Sequence, residues 1–369
     1  LAARGRCLAE PLLALRDQPW ADLSAMDGYA IRHADLPGPW RITGVSQAGG
    51  TPPTAALGSR EAMRIFTGAP LPPGADCILL QEDATAEGDR LALSGDAPDR
   101  IGRHVRFRAS DFAQESVLLA PGTAIGPAQI ALAAIAGHAA LPVHRAPRIA
   151  ILSTGDELVP VGAPAGPGQL PASNGVMLAA MLGELGAVVT DMGLVRDDLG
   201  ALTRAFEAAH GADVVISTGG ASVGDHDLVR PAIAAAGGAI DFWRIALRPG
   251  KPLMAGKLCN ACVLGLPGNP VSAFVTAILF ALPLVRRLMG SPAALPSKSK
   301  VESAISLPAG GKRTEFLRAR VEQGVLTALG ARDSAALMPL ADADALIERP
   351  VDAPPVTPGD MVSAIMIGA

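Results

Sequence analysis

The sequence predicts a multidomain α/β protein whose central domain is a doubly wound, mainly parallel sheet. In the middle of the chain, short apolar strands alternate with helical segments, a pattern typical of doubly wound α/β domains. The segments on either side lack that alternation and are rich in Gly, Pro and short β-like runs. The length of 369 residues allows several domains at roughly 100–200 residues each.

The alternation defines the predicted elements of the central domain. Short apolar runs predict its strands, at Arg148–Leu152, Ala187–Thr190, Asp213–Ile216 and Cys262–Leu264. Capping residues and helical spacing of apolar residues predict helices between them. These helices are Gly175–Gly186 behind a Ser173-Asn174 cap, a helix from the Asp197-Asp198 cap through about His210, Leu228–Ala236, and one that begins at Val271.

The composition shifts divide the chain into four predicted domains. Residues 112–146 hold a predicted helix and can pack with residues 1–15 as a discontinuous, small α/β linker domain. Residues 16–111 form a mostly β domain, and residues 147–294 form the α/β domain. Residues 295–369, which follow a polar linker, show alternating strand patterns and form a small C-terminal β-barrel-like domain.

Composition excludes several classes of protein. A hydrophobic fraction of 49% and a positive mean hydropathy of +0.33 argue against disorder. A net charge of −4, a pI near 5.9 and few aromatic residues argue against a nucleic-acid partner. The apolar runs Gln129–Val143 and Val271–Val285 fall short of the ~18 residues of a membrane span. We interpret both runs as buried helices and expect no membrane partner.

The four cysteines include one close pair, Cys259 and Cys262. A structural zinc site needs a second such pair or two histidines, and the sequence offers no partner pair. Ordinary thiols near a turn are therefore the favoured interpretation. Low cysteine usage fits a reducing compartment, so we expect a cytoplasmic protein.

Three loops follow predicted strands of the α/β domain: Ser153–Glu157, Ser217–Asp227 and Gly265–Pro270. Ligands of open α/β sheets bind outside the carboxyl ends of the strands. Gly219-Gly220 lets the backbone approach a ligand closely, and Ser217, Thr218 and Ser222 add hydroxyl donors. One such loop alone would favour a simple tight turn, whereas three together favour a phosphate-bearing ligand.

Carboxylates cluster in and beside these loops. Mg²⁺ prefers carboxylate oxygens together with substrate phosphates. Asp197 and Asp225 are individually more typical of helix caps, so Glu157 and Asp227 are the predicted magnesium ligands.

A basic segment lies farther along the chain. Arg244 and Arg248 flank three apolar residues, so a strand there would place both guanidiniums on one face. Two guanidiniums suit a tetrahedral oxyanion or a phosphate. The alternative is a pair of surface charges that balances nearby acids.

Several long motifs closely resemble the molybdopterin molybdenumtransferase (MoeA) family, which is related to the C-terminal domain of gephyrin. The resemblance covers nearly the whole chain. It rests on Ser24–Ala30 (SAMDGYA), Thr67–Pro70 (TGAP), Ser153–Leu158 (STGDEL), Ser217–Gly224 (STGGASVG), Arg248–Pro252 (RPGKP) and Leu266–Ser272 (LPGNPVS).

The resemblance implies a Mg²⁺-dependent enzyme of molybdenum cofactor biosynthesis. Such an enzyme binds adenylylated molybdopterin, releases AMP and inserts molybdate to give molybdenum cofactor. The resemblance also implies a homodimer with an active site shared between subunits. Molybdopterin adenylyltransferase and molybdoenzymes are the implied further partners.

Carried over by motif, the resemblance implies site residues in this sequence. Asp27 and Thr67 would reach the site from the partner subunit. The implied catalytic set is Asp27, Thr67, Glu157, Asp227, Arg244 and Arg248. The implied substrate-binding set is Asp197, Ser217, Gly219, Gly220, Ser222, Lys251, Pro267, Asn269, Pro270, Ser272, Arg318 and Ser334, of which Arg318 and Ser334 match positions that hold molybdate.

Two alternatives remain open at this point. A molybdopterin adenylyltransferase shares the α/β domain and its Gly-Gly loop but is essentially that domain alone. A non-catalytic, gephyrin-like scaffold would keep the fold and lose site residues. The flanking motifs argue against the first alternative, and the populated acidic and basic positions argue against the second. A hydrolase that reuses the α/β domain on another nucleotide is a weaker alternative.

Overall fold

The computed structural model describes residues 1–220, 228–243, 245–330 and 333–367. The chain divides into two compact units. The first unit comprises Leu1–Arg4 and Leu8–Val143, and the second comprises Gly5–Cys7 and His144–Ala369.

The first unit consists of short strands and one helix. Its elements are β1 (Leu12–Leu13), β2 (Leu23–Ser24), β3 (Gly28–Ile31), β4 (Trp40–Ser46), β5 (Glu61–Ile65), β6 (Cys77–Leu80), β7 (Ala84–Glu87), β8 (Arg90–Leu93), β9 (Val105–Arg106), β10 (Val117–Leu119) and α1 (Pro127–Ile135). Six strands form one sheet in the order β6-β3-β5-β4-β8-β7. Its two faces are covered by separate apolar clusters, one around Ile31 and Trp40 and one around Ile65 and Ile78.

The helix α1 is shorter than the sequence predicts. The apolar run Gln129–Val143 is helical only through Ile135, and Gly137 then adopts φ +102°. Ile135 is 45% exposed. The prediction of a buried helix over the whole run is therefore wrong: apolar composition alone does not reveal the glycine that ends the helix.

The α/β part of the second unit contains the predicted alternation of strands and helices. Its elements are β11 (Arg148–Thr154), β12 (Leu158–Val159), β13 (Leu170–Pro171), α2 (Ser173–Glu184), β14 (Val188–Val195), α3 (Leu199–Ala208), β15 (Val214–Thr218), α4 (Val229–Ala235), β16 (Gly238–Trp243), β17 (Leu247–Arg248), β18 (Met254–Leu258), β19 (Ala261–Leu266), α5 (Pro270–Thr276), a π-helical turn (Ala277–Ala281) and α6 (Leu282–Leu288).

Six of these strands form one sheet in the order β14-β11-β15-β19-β18-β16. The first four are mutually parallel, and β18 is antiparallel to both of its neighbours. Leu178 of α2 packs on one face of the sheet together with the π-helical turn, and Phe206 of α3 and Ile233 of α4 pack on the other. Helices on both faces of a mainly parallel sheet confirm the predicted doubly wound class.

The sequence did not predict β16 and β18. Residues of β16 are half-buried or exposed, and β18 reads Met-Ala-Gly-Lys-Leu. Neither strand carries the continuous apolar run of a central parallel strand: β16 lies at the edge of the sheet, and β18, although paired on both sides, belongs to the antiparallel part and contains an exposed lysine.

The helical segment Pro270–Leu288 is long and apolar enough to cross a membrane by length and composition, with a mean hydropathy of 1.7. It nevertheless packs into the apolar clusters of the second unit through residues such as Val275, Ala281 and Val285, which are fully buried. Its packing is that of a core helix.

The C-terminal part is a small barrel. Its elements are β20 (Ser299–Ser303), β21 (Thr314–Glu322), β22 (Val325–Ala328), α7 (Met338–Ala341), β23 (Ala345–Arg349) and β24 (Met361–Met366). The order β21-β22-β20-β24-β23 closes because β23 also pairs with β21. The predicted β-barrel-like class is confirmed, and β17 adds to this sheet by pairing with the start of β21.

Candidate functional site

The carboxyl ends of β11, β15 and β19 open into a first cavity of about 720 Å³. The glycine loop after β15 forms part of its wall. A Cβ on Gly219 would lie 2.0 Å from the carbonyl oxygen of Thr154, and Gly219 and Gly220 both have positive φ. Only glycine fits at this close approach, and its backbone is therefore available to a ligand at the edge of the sheet.

Among the described residues, two carboxylates lie on the wall of the first cavity, those of Glu157 and Asp197. Asp197 accepts a hydrogen bond from the Thr154 hydroxyl. The neighbouring Asp198 caps α3 by accepting a bond from the Ala201 amide at 2.8 Å. Asp198 therefore caps the helix, whereas Asp197 lines the cavity. The sequence-based preference for Asp197 as a helix cap is wrong.

A side chain that the sequence analysis did not assign to the site also lines this cavity. Asn174 in the first turn of α2 donates from Nδ2 to Thr218 Oγ1 at 2.9 Å and to the Gly268 carbonyl at 2.8 Å. The helix cap is Ala172, without a side-chain bond, so the predicted Ser173-Asn174 cap is wrong. No local pattern indicates this role, because both acceptors are distant in sequence.

A second cavity of about 450 Å³ lies between the Arg248–Pro252 segment and the barrel. It shares Pro252, Asn269 and Ser272 with the wall of the first cavity. Among the described residues, its charged lining comprises Arg248, Lys251, Arg313, Arg318, Glu315 and Asp333. Four cations against two carboxylates leave a formal charge of +2, which favours an anionic ligand.

Arg318 is the most deeply placed of these cations, with 6% of the residue exposed. It donates to the carbonyl oxygens of Ala336 at 2.6 Å and Asp333 at 3.1 Å, which holds the loop beside Ser334. Burial lowers the pKa of the Arg318 guanidinium from its usual value, but a guanidinium stays charged in proteins. Arg318 therefore contributes a fixed positive charge to the second cavity.

Arg248 is bound to the barrel through an ion pair of its own. Its Nη1 donates to Glu315 Oε1 at 2.8 Å, and β17 pairs with β21 at these same two residues. The predicted strand with Arg244 and Arg248 on one face is wrong, because β16 ends at Trp243 and β17 joins a different sheet. Arg244 itself lies outside the described residues.

The structure brings most of the predicted residues of the second unit together. Around the first cavity lie Glu157, Asp197, Gly219, Gly220, Pro267, Asn269, Pro270 and Ser272. Around the second lie Arg248, Lys251, Asn269, Ser272, Arg318 and Ser334. Ser217 is 1% exposed and lines neither cavity. Its hydroxyl lies beside Gly265 in the sheet. Ser222 and Asp227 lie outside the described residues.

Asp27 and Thr67 meet within the first unit. One carboxylate oxygen of Asp27 accepts bonds from the Thr67 amide at 2.7 Å and from the Thr67 hydroxyl at 2.8 Å. These two bonds, the amide first, lower the pKa of Asp27 from its usual value. The pair presents a stabilised carboxylate on a half-buried residue.

Within the described ranges, no group of three or more His, Cys, Asp and Glu side chains could hold a metal ion. The first cavity offers the carboxylates of Glu157 and Asp197. Mg²⁺ is commonly held by one or two carboxylates together with substrate phosphates, rather than by a protein cage. The carboxylate oxygens of Glu157 and Asp197 are suited to bind Mg²⁺ in this way, together with substrate phosphates.

Known protein families match the same domains of this chain. Family models match the MoeA N-terminal region (domain I and II) at residues 1–137, a probable molybdopterin binding domain at 150–287, and the MoeA C-terminal region (domain IV) at 300–367. The molybdopterin molybdenumtransferase of Nostoc sp. is 36% identical over 86% of this chain and 74% of its own length.

Molybdopterin molybdenumtransferase 2 of Mycobacterium tuberculosis is 36% identical over 97% of this chain and 91% of its own. A crystal structure of the molybdopterin biosynthesis MoeA protein from Pyrococcus horikoshii superposes with a TM-score of 0.86 at 31% identity. That superposition covers 99% of this chain and 92% of the other.

Proposed function

This chain belongs to the MoeA family of molybdopterin molybdenumtransferases, and we propose that it inserts molybdate into adenylylated molybdopterin with release of AMP. Membership makes it an enzyme of molybdenum cofactor biosynthesis, with molybdopterin and molybdate as substrates. One observation supports the proposed insertion of molybdate into adenylylated molybdopterin: the two cavities share a wall formed by Pro252, Asn269 and Ser272.

The charge of the second cavity supports its assignment to molybdate. Molybdate is a tetrahedral dianion, and the described lining residues carry a formal charge of +2. Arginine donors bind oxyanions with fixed geometry, and Lys251 adds a mobile ammonium. Ser272 on the wall shared with the first cavity and Ser334 in the second cavity add serine hydroxyl groups to the lining.

The first cavity supports the assignment of the pterin and its phosphoanhydride. The glycine loop after β15 offers backbone to an anionic group. Mg²⁺ would be held by Glu157 and Asp227, with Asp197 on the same wall as Glu157, and would neutralise the phosphate charge as AMP leaves. We infer that an oxygen of molybdate attacks the pterin-side phosphorus of the phosphoanhydride, so that its bond to the bridging oxygen breaks and AMP leaves with that oxygen.

We further propose a cytoplasmic homodimer in which Asp27 and Thr67 complete the site of the partner subunit. The bonds from Thr67 keep the Asp27 carboxylate ionised and fixed in direction. Molybdopterin adenylyltransferase is the proposed supplier of the substrate, and molybdoenzymes are the proposed recipients of the product.

The test is an insertion assay with purified adenylylated molybdopterin, molybdate and Mg²⁺. We expect AMP release to require both molybdate and Mg²⁺, and Asp227→Ala and Asp27→Ala to lose activity. Mixed dimers of the two variants should regain up to half of the sites. Full activity of both variants would refute the site, and absence of rescue would refute a shared site.

The same preparation distinguishes the alternatives. Formation of the adenylate from molybdopterin and ATP would indicate an adenylyltransferase. A folded dimer that binds neither molybdate nor the adenylylated pterin would indicate a scaffold. AMP release without molybdate would refute the proposed nucleophile.

A further inference from the structure

Asn174 links the loop after β15 to the loop after β19. Among the described residues, no other side chain forms hydrogen bonds to both of these loops. Its Nδ2 group donates to Thr218 Oγ1 at the end of β15 and to the Gly268 carbonyl after β19. Gly268 offers only a carbonyl acceptor at this contact, so the nitrogen of the amide must face it. Both amide hydrogens are thereby used.

The other half of the same amide is left unpaired. Asn174 Oδ1 is buried and has no hydrogen-bond partner among the described residues. A buried acceptor without a donor is unfavourable for folding. What Asn174 contributes is therefore its two donor bonds to the loops, and these come with the cost of one unpaired oxygen.

The loop after β19 that Asn174 holds leads directly into the wall shared by the two cavities, because Asn269 lines both, whereas the loop after β15 lines the first cavity. A Cβ on Gly268 would lie 3.6 Å from the Gly219 Cα atom, so the two exit loops are in close contact. The next residue, Asn269, donates from Nδ2 to Ser334 Oγ at 2.9 Å. The dipeptide Gly268–Asn269 is thus held from α2 on one side and bound to the barrel loop on the other.

We propose that Asn174 is a positioning residue for the insertion step, and this inference rests on the proposed function. It fixes the position of the Gly268–Asn269 peptide at the shared wall, where the oxyanion of the second cavity would meet the pterin of the first. It lines the first cavity and acts on the shared wall through its bonds to Thr218 and Gly268. Such a residue governs the rate of transfer rather than the affinity of either cavity.

Asn174→Ala is the test, with Asn260→Ala as the matched control in the exposed turn between β18 and β19. We expect kcat for insertion to fall on the order of 10–100-fold in Asn174→Ala, the range that a small misplacement of reactants produces. The molybdate KM should change less than threefold, and Tm should shift by less than about 3 °C because the unpaired oxygen is removed as well.

Two further variants separate positioning from a general structural role. Asn174→Asp keeps the shape but replaces the donor with a carboxylate, so it should be at least as slow as Asn174→Ala. Thr218→Val removes one of the two acceptors. Combined with Asn174→Ala it should cost less than the product of the two single losses, because both changes remove the same bond.

Wild-type kcat in Asn174→Ala or in Asn174→Asp would overturn the inference. So would a loss of kcat that is accompanied by an equal loss of molybdate affinity or by a large fall in Tm, because either result indicates collapse of the site. Absence of insertion by the wild-type protein would refute the proposed function instead, so the two failures are distinguishable.

Discussion

Glu315→Gln should tighten the binding of molybdate. Glu315 holds Arg248 at 2.8 Å inside the second cavity and supplies one of its two negative charges. Replacement by Gln raises the formal charge of the described lining from +2 to +3. The amide also competes less strongly for the guanidinium than the carboxylate does.

The size of the effect follows from Coulomb's law. An oxyanion on the far side of the guanidinium would lie about 6 Å from the Glu315 carboxylate, and a double charge repelled at the dielectric of water costs about 1.4 kcal/mol. The water value is appropriate because the Arg248 side chain is 46% exposed. Removal of this repulsion should tighten binding roughly tenfold.

Isothermal titration calorimetry with molybdate at low ionic strength measures this change directly. The gain should shrink as salt is added, because exposed charges are screened. Glu322→Gln is the matched control, since it makes the same substitution on β21 at an exposed residue outside the cavity. Unchanged or weaker molybdate binding in Glu315→Gln would refute the assignment of Glu315 as a competitor of the oxyanion.

Three other predictions concern the carboxylates and the glycine loop. Thr67→Val removes the hydroxyl bond to Asp27 and should raise the pKa of that carboxyl towards its usual value, so that ionisation of Asp27 moves to higher pH in an NMR titration. Gly219→Ala should destabilise the protein by at least ~1–3 kcal/mol in chemical denaturation, because its Cβ would lie 2.0 Å from a carbonyl oxygen. Asp197→Ala should abolish most insertion activity with little change in stability, whereas Asp198→Ala should cost about 1 kcal/mol of stability and retain activity.

Each of these predictions has a control or a contradicting result. An unchanged titration of Asp27 in Thr67→Val would mean that the amide bond alone sets its pKa. Gly183→Ala in α2 meets nothing within 4 Å and should stabilise the protein by about 0.5–1 kcal/mol. Equal activity losses in Asp197→Ala and Asp198→Ala would contradict the division of roles between cavity and cap.

The site residues at the carboxyl edge of the α/β sheet could be predicted because the motifs that contain them are local in the sequence. The motifs after β11, β15 and β19 follow apolar strands directly, and the carboxyl ends of parallel strands meet at one edge. That rule alone predicts that Glu157, Gly219 and Asn269 surround one cavity, and all three residues line the first cavity.

The site features that the sequence did not predict depend on contacts between residues that are far apart in the sequence. Asn174 reaches acceptors 44 and 94 residues away, and Glu315 lies 67 residues from Arg248. Neither pair leaves a periodic or spaced pattern. The edge strand β16 and the adjacent β18 were missed for a different reason: β16 is partly exposed, and β18 is interrupted by Gly256 and the exposed Lys257, which weakens the apolar signal that identifies a strand.

The pairing of β17 with β21 makes the two C-terminal domains unsuited to separation as independent modules. β17 lies in sequence between β16 and β18 of the α/β sheet, yet it occupies the half of one β21 edge that β22 leaves free. A fragment that begins at the polar linker before residue 300 would expose that edge and invite intermolecular strand pairing. A fragment that ends there would release Arg248 from Glu315. Truncations and fusions of this chain should therefore keep residues 144–367 continuous.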